Sequence, residues 1–428
     1  MNTSGVSSHR RVVSLLWLGY CAIPAAMQSQ EANAVATGKV HSIRSGVMQE
    51  QRRLLVTLPE SYDRTTVGYP VLFMLDGSSH ILHATATTRF LSHARNRIPE
   101  MIVVAVPNTN RNRDLTPGPG AARFQRFFAD ELIPWVDSAY RTVPERIIMG
   151  HSLGGSFVTH TMLNRPELFD VYIAASAPLW RYDSLARDMR QGLSRAATAG
   201  ATIYLTVGER EWSRLREGVI SFADRLKAAD SSKVPKWSFV DLPHEDHSST
   251  PLRTLYSSLE THYVAYRFPF FEERADLDSL GGLLAIEAHF QRLTTQLGYP
   301  ARPPESKIIA VGEILIGEGK HAELRALALA YRTDYPVVAE QLINQTGYDL
   351  LRRGETGRAI DVFTENTALF PNSPNTFDSL ADAYCRAGNE TAARDRVRQA
   401  VSVAERRAHP RVDRYRSRVA QPCPPEGR

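Results

Sequence analysis

Gly150-His151-Ser152-Leu153-Gly154 sets one serine between two glycines, directly after the apolar run Arg146–Met149 and before a helical pattern through Val158, Met162 and Leu163. A serine hydroxyl is a poor nucleophile at neutral pH. It needs a base within hydrogen-bond reach, and the base needs an acid to fix its tautomer. Gly-x-Ser-x-Gly between a strand and a helix permits a sharp, strained turn that holds the hydroxyl clear of the backbone at a helix N-terminus, and Gly155 extends the room for close packing.

In a strand–turn–helix site of this kind the acid and then the base follow the serine along the chain. Thr202–Val207 reads as a strand and runs into Gly208-Glu209-Arg210-Glu211. Glu211 has the longer loop reach and is preferred as the acid, with Glu209 as the alternative. After the next strand, Trp237–Val240, come His244 and His247. His247, nearer the helix expected from about Pro251, is preferred as the base, and His151 is a candidate site-lining residue. No second ligand cluster accompanies His244, Asp246 and His247, so neither a metal nor another cofactor is expected. The oxyanion of acyl transfer needs two backbone N–H donors. Leu153 supplies one, and the loop Asp76-Gly77-Ser78 supplies the other through Gly77 or Ser78.

The elements that must position these groups are legible as well. Tyr69–Leu75 and Met101–Val106 are continuous apolar runs suited to strands buried on both faces, and Val171–Ala175 is a further strand. Helical patterns lie between them, including Ala84–Asn96 and Phe124–Tyr140. Strands alternating with helices predict an α/β fold with a mostly parallel sheet, whose carboxyl-edge loops gather the functional groups. Two more strand-like pieces lie between about Val40 and Leu58.

At 428 residues the chain is too long for one compact core, and two domains are expected. A net charge of +5 without a dense Lys/Arg run gives no nucleic-acid tract. Arg10 and Arg11 before the apolar stretch Val12–Ile23, followed by small residues, read as a secretory signal peptide. Residues 1–36 are therefore expected to be signal peptide and leader, with an uncleaved anchor as the alternative, no stable membrane span after cleavage and a periplasmic or secreted location. Cys385 and Cys423 then remain, which is no disulfide framework, and a single bridge between them is left open.

Beyond Phe268 the strand-like runs stop. Leu350-(x)3-Gly354-(x)4-Ala359 recurs 34 residues later as Tyr384-(x)3-Gly388-(x)4-Ala393, and Leu315, Gly319 and Tyr335-Pro336 align 35 residues before Leu350, Gly354 and Phe370-Pro371. That period with helix–turn–helix content marks tetratricopeptide-type repeats. The organisation expected is 37–268 hydrolase, 269–418 all-helical repeats and 419–428 a disordered tail.

Several spaced motifs together, Tyr69–Gly77, Asn108-(x)2-Arg111-Asn112-Arg113-Asp114-Leu115-Thr116-Pro117, Glu131-Leu132-Ile133-Pro134, Tyr140-Arg141-Thr142 and Gly150–Gly155, resemble the putative-esterase family of α/β-hydrolases. That family includes enterobactin and bacillibactin esterases, which open trilactone siderophores, and is related to esterase D. The resemblance covers about Val40 to Phe268. Asp378–Tyr384 resembles the tetratricopeptide-like extension of some exported members. The resemblance implies ester hydrolysis through Ser152 and His247, with Arg111 and Asp114 bordering the substrate pocket. Ser176-Ala177-Pro178-Leu179-Trp180-Arg181 departs from the family's Ser-Pro-Ser-Leu-Trp-Trp, keeping Trp180 as a candidate substrate contact but replacing its aromatic neighbour.

The leading expectation is an exported serine esterase acting on a small-molecule ester. A siderophore trilactone is one option, since Arg111, Arg113 and Arg123 would suit an anionic ferric tris-catecholate. A non-catalytic interaction protein docking a peptide or protein partner at its helical repeats, and an acyltransferase using the same serine, are the alternatives.

Overall fold

The computed structural model describes residues 38–181 and 189–423. The signal-peptide reading falls outside these residues, as does the end of the tail beyond Cys423. Eight strands form one sheet: β1 Lys39–Ser45, β2 Glu50–Thr57, β3 Tyr69–Leu75, β4 Ile102–Val106, β5 Thr142–His151, β6 Val171–Ala175, β7 Thr202–Gly208 and β8 Lys236–Leu242. Their order is β1-β2-β4-β3-β5-β6-β7-β8. β1 and β2 pair antiparallel, β2 joins β4 antiparallel, and every pairing from β4 onward is parallel.

In order up to Phe268 run α1 Gly77–Arg89, α2 Arg111–Leu115, α3 Pro119–Phe127, α4 Ile133–Ala139, α5 Leu153–Asn164, α6 Met189–Thr198, α7 Ser213–Ala228 and α8 Thr250–His262. The strands read as unbroken apolar runs because both sheet faces are covered. Val71, Phe73 and Leu75 face one core with Phe124, Phe127, Phe157 and Phe222, while Leu72 and Met74 face the other with Ile81, Leu255 and Leu259. α1 starts at Gly77, seven residues before the helical pattern expected from Ala84. The reason is local: Asp76 adopts a left-handed conformation (φ 52, ψ 41) and turns the chain from strand to helix at once. Gly77 is required there, because a Cβ would stand 2.6 Å from the Val106 nitrogen.

The remainder is helical: α9 Arg274–Ser279, α10 Gly282–Leu297, α11 Glu305–Gly317, α12 His321–Tyr331, α13 Pro336–Arg352, α14 Thr356–Leu369, α15 Pro374–Arg386, α16 Glu390–Arg406 and α17 Val412–Arg418. Gly319, Gly354 and Gly388 each take φ near +70 at a helix end (68, 76 and 73), closing the first helix of three successive hairpins. Gly347 lets two helices of one hairpin meet, since a Cβ would lie 2.4 Å from Phe363 Cζ.

Packing does not break at Phe268. The core beneath α1 and α8 continues through Tyr266 and Phe271 to Phe290, Ile308 and Leu342. Glu145 on β5, 7% exposed, accepts hydrogen bonds from the Tyr263 hydroxyl at 2.5 Å and the Tyr299 hydroxyl at 2.7 Å, tying the central strand to the segment after α10. Cys385 and Cys423 form a disulfide, and Val419 and Cys423 pack against Ala381, Ala393 and Val397. The segment 419–423 is thus fastened to α15, where the sequence reading began a disordered tail at 419.

Candidate active site

β5 delivers Ser152 to the N-terminus of α5 with φ 57 and ψ −123, a conformation that costs a non-glycine residue on the order of 1–3 kcal/mol. The turn is held from outside itself: Ser152 N donates to the Ala175 carbonyl at 2.9 Å. Gly150 cannot carry a side chain, because a Cβ would stand 2.3 Å from the Gly154 carbonyl carbon and oxygen. Leu153 opens α5, so its N–H is one of the helix's unsatisfied first-turn donors.

α1 brings a second helix N-terminus to the same place. Gly77 and Ser78 are its first two residues, and a Cβ on Gly154 would lie 3.2 Å from Asp76 Oδ2. Asp76 itself is 8% exposed and accepts hydrogen bonds from Arg111 (Nε 2.7 Å, Nη2 3.0 Å) and Asn108 Nδ2. Burial pushes its carboxyl up, but the hydrogen bonds from Arg111 and Asn108 outweigh burial and leave it below the ordinary aspartate range.

Two acid candidates and two histidine candidates resolve into two separate pairs. Glu211, whose side chain is fully buried, lies 3.0 Å and 3.1 Å from His247 Nδ1 through its two oxygens. Glu209 instead accepts from the His244 backbone N–H at 2.7 Å and faces the His244 ring on the surface, where the two side chains are 53% and 80% exposed. The His247 ring lies 4.5 Å from that of His151, centroid to centroid, which brings it beside the residue preceding Ser152. His151 is held neutral down to about 4, chiefly by burial and then by the neighbouring His247 and His80.

Other candidate residues take different positions. Arg111 borders the serine turn, with Nη2 3.4 Å from the His151 carbonyl, yet its guanidinium braces Asp76. Asp114 is not a pocket residue. It is 1% exposed and ion-paired with Arg52, itself fully buried, and with Arg113 at 2.6 Å, so no substrate group reaches it. Arg113 is also held by Glu50 at 2.6 Å, which leaves Arg123 as the exposed member of the three arginines. Trp180 packs on α7, where a Cβ on Gly218 would stand 3.0 Å from its Cε3, with Arg214 5.7 Å above the ring.

Sequence reasoning passed over three groups. Trp212, 66% exposed, stacks on the His247 ring at 5.0 Å and 28°. His80 and His83 on α1 are hydrogen-bonded to each other at 2.9 Å, and His80 stands edge-on to His151 at 5.9 Å. The position of Trp212 directly after the acid candidate was the available signal; nothing in the local pattern marked the two histidines. A cavity of about 230 Å³ lined by Tyr69, Tyr266, Tyr299, Tyr335, Arg64 and Glu305 contains none of Ser152, His247 and Glu211.

A strained serine at a helix N-terminus, a histidine beside it braced by a buried carboxylate, and a second helix N-terminus close to the same turn are the parts of a serine hydrolase of the α/β-hydrolase fold. Residues 45–250 match the model of the family described as "Putative esterase". The siderophore enterobactin esterase of Emericella nidulans is 28% identical over 249 residues, 49% of this chain and 81% of that protein. The ferri-bacillibactin esterase BesA of Bacillus subtilis is 28% identical over 216 residues, 42% and 74% of the two chains. The IroE-like serine hydrolase from Shewanella oneidensis superimposes with a TM-score of 0.54 at 24% identity, covering 71% of this chain and 98% of that one, a likeness of fold.

Proposed function

We propose that this chain is an exported serine esterase that opens siderophore esters through an acyl-enzyme on Ser152. The observation that carries the mechanism is the Glu211–His247 pair beside the Ser152 turn. His247 takes the Ser152 proton as Oγ attacks the ester carbonyl, and Glu211 holds the Nδ1–H tautomer and offsets the imidazolium charge. The oxyanion is received by the N–H of Leu153 and by that of Gly77 or Ser78. His247 returns its proton to the departing alcohol, and a water molecule, deprotonated in turn by His247, releases the acid and frees Ser152.

Siderophore esters are favoured as substrates by the kinship with esterases whose names carry that activity. Export is supported by the Arg10-Arg11 leader pattern and by the Cys385–Cys423 bond, which suits an oxidising compartment. We read the three helix hairpins closed by Gly319, Gly354 and Gly388, spaced 35 and 34 residues apart, as tetratricopeptide-like repeats following a hydrolase domain of residues 37–268.

The test is intact-mass labelling by a fluorophosphonate probe beside turnover of a cyclic trilactone of dihydroxybenzoylserine. Wild-type protein is expected to label and to open the trilactone, Ser152→Ala to do neither, and His247→Ala to label slowly. Full trilactone hydrolysis by Ser152→Ala would refute the acyl-enzyme. Labelling without trilactone turnover would refute the substrate.

A further inference from the structure

Trp212 has no part in the reaction described above, yet its position is specific. It is the N-cap of α7 and directly follows Glu211, so one short loop delivers a carboxylate to the edge of the His247 ring and an indole to its face. A tryptophan that is 66% exposed leaves much apolar surface in water, and here the part that is covered lies against the His247 imidazole, 5.0 Å away at 28°.

Among the described residues, the groups around His247 are few. Glu211 approaches from the loop after β7, with its side chain fully buried. His151 approaches from the end of β5, and burial keeps it uncharged down to about 4. On the histidine's own loop, His244 is turned to Glu209, and Asp246 accepts from the backbone N–H groups of Ser248 and Ser249. Among the described residues the imidazolium therefore has one anionic partner at its edge and an indole at its face. An indole face attracts a cation much more than it attracts a neutral ring. Its contribution is largest while His247 carries the serine proton, which is when a stabilising contact accelerates the reaction rather than merely binding substrate.

We propose that Trp212 is a positioning residue that stabilises the protonated form of His247 during acyl transfer and holds its ring in line with Glu211. This rests on His247 being the general base.

The experiment measures p-nitrophenyl acetate hydrolysis against pH for wild type, Trp212→Ala, Trp212→Phe and His247→Ala, all in the full chain. In Trp212→Ala, kcat is expected to fall about three- to fivefold. KM should stay within about twofold, and the pH of half-maximal kcat/KM on the acidic limb should move down by about half a pH unit. The direction follows because loss of the indole weakens the protonated form, so the active neutral form persists to lower pH. Trp212→Phe should lie between, since phenyl is a weaker cation partner. A raised KM with kcat and the limb unmoved would make Trp212 a substrate platform and overturn the proposal, as would kinetics indistinguishable from wild type. If His247→Ala alone is inactive in either case, the base assignment stands and only this inference fails. Full activity in His247→Ala overturns both.

Discussion

Arg111 grips both carboxylate oxygens of Asp76, Nε to Oδ1 at 2.7 Å and Nη2 to Oδ2 at 3.0 Å, at the point where β3 turns into α1. This two-point contact holds the turn whose N–H groups receive the oxyanion in the proposed mechanism, so it is expected to act on the reaction through backbone geometry. Arg111→Ala leaves a mostly buried carboxylate without its main partner. We expect a loss of about 1–3 kcal/mol in stability, below the ~3–5 kcal/mol of fully buried broken pairs because Arg111 is partly exposed. With the oxyanion donors displaced, kcat for aryl esters should fall about tenfold or more while KM changes little. Steady-state kinetics and urea unfolding check both; unchanged kcat in a folded variant would remove Arg111 from the account. Because the Asp76 carboxyl lies below its ordinary value, its contribution is present above the unfolded aspartate range and is lost as pH falls through the folded value.

Glu211 and Glu209 are separated by one residue and face opposite ways, which makes them a matched pair of test sites. Glu211→Gln keeps the shape but removes the charge that supports the imidazolium. Activity is expected to drop on the order of 10²-fold or more. Glu209→Gln, at an exposed surface pair, should alter kcat/KM by less than about twofold. The reverse ranking in esterase assays would reassign the acid.

His151 and His83 are both held to about 4, in each case chiefly by burial. An unfolded histidine titrates near ~6.5. Between those values the unfolded chain binds more protons than the folded one, so stability is intact above the upper value and is lost as pH falls towards the lower. The loss by pH ~4 should be about 1–2 kcal/mol per group after allowing for solvent. Urea midpoints measured from pH 7 to 4 should decline less steeply in His83→Gln than in wild type. Parallel curves would show that His83 carries none of the dependence.

The Cys385–Cys423 bond closes a loop with a sequence separation of 38 at the far end of the helices. Chain entropy assigns such a crosslink roughly 3–4 kcal/mol. Cys423→Ser should lower the thermal transition of the helical segment by several degrees while aryl-ester kcat/KM stays within about twofold, because the bond packs among Ala381, Ala393 and Val397 of the last helices. A parallel loss of activity would instead link the helices to the catalytic turn.

The sheet was largely readable along the chain. β3 and β4 announce themselves as continuous apolar runs because both faces are buried, and the Gly150–Gly154 turn is a local pattern whose requirements are met by its own residues. The helix after β3 was placed late because its start depends on the left-handed turn at Asp76, which no hydrophobic period reveals. Arg111 and Asp114 were placed at a pocket by the family resemblance, and Arg113 was matched by its charge to an anionic substrate. Their partners Asp76, Glu50 and Arg52 lie dozens of residues upstream and become partners only when β2, β3 and α2 pack together.

By itself the sequence determined the strand–turn–helix around Ser152, the alternating strands and helices, the helical texture after Phe268, and a short set of candidate acids and bases following Ser152 along the chain. These depend on period, local backbone needs and chain order. Only the tertiary structure decided which glutamate meets which histidine, that Trp212 covers the His247 ring, and that the loop arginines brace carboxylates. Such pairings are set by side-chain direction and burial across elements that meet only in the folded chain, and a one-residue step along a loop is enough to turn a side chain from the site to the solvent.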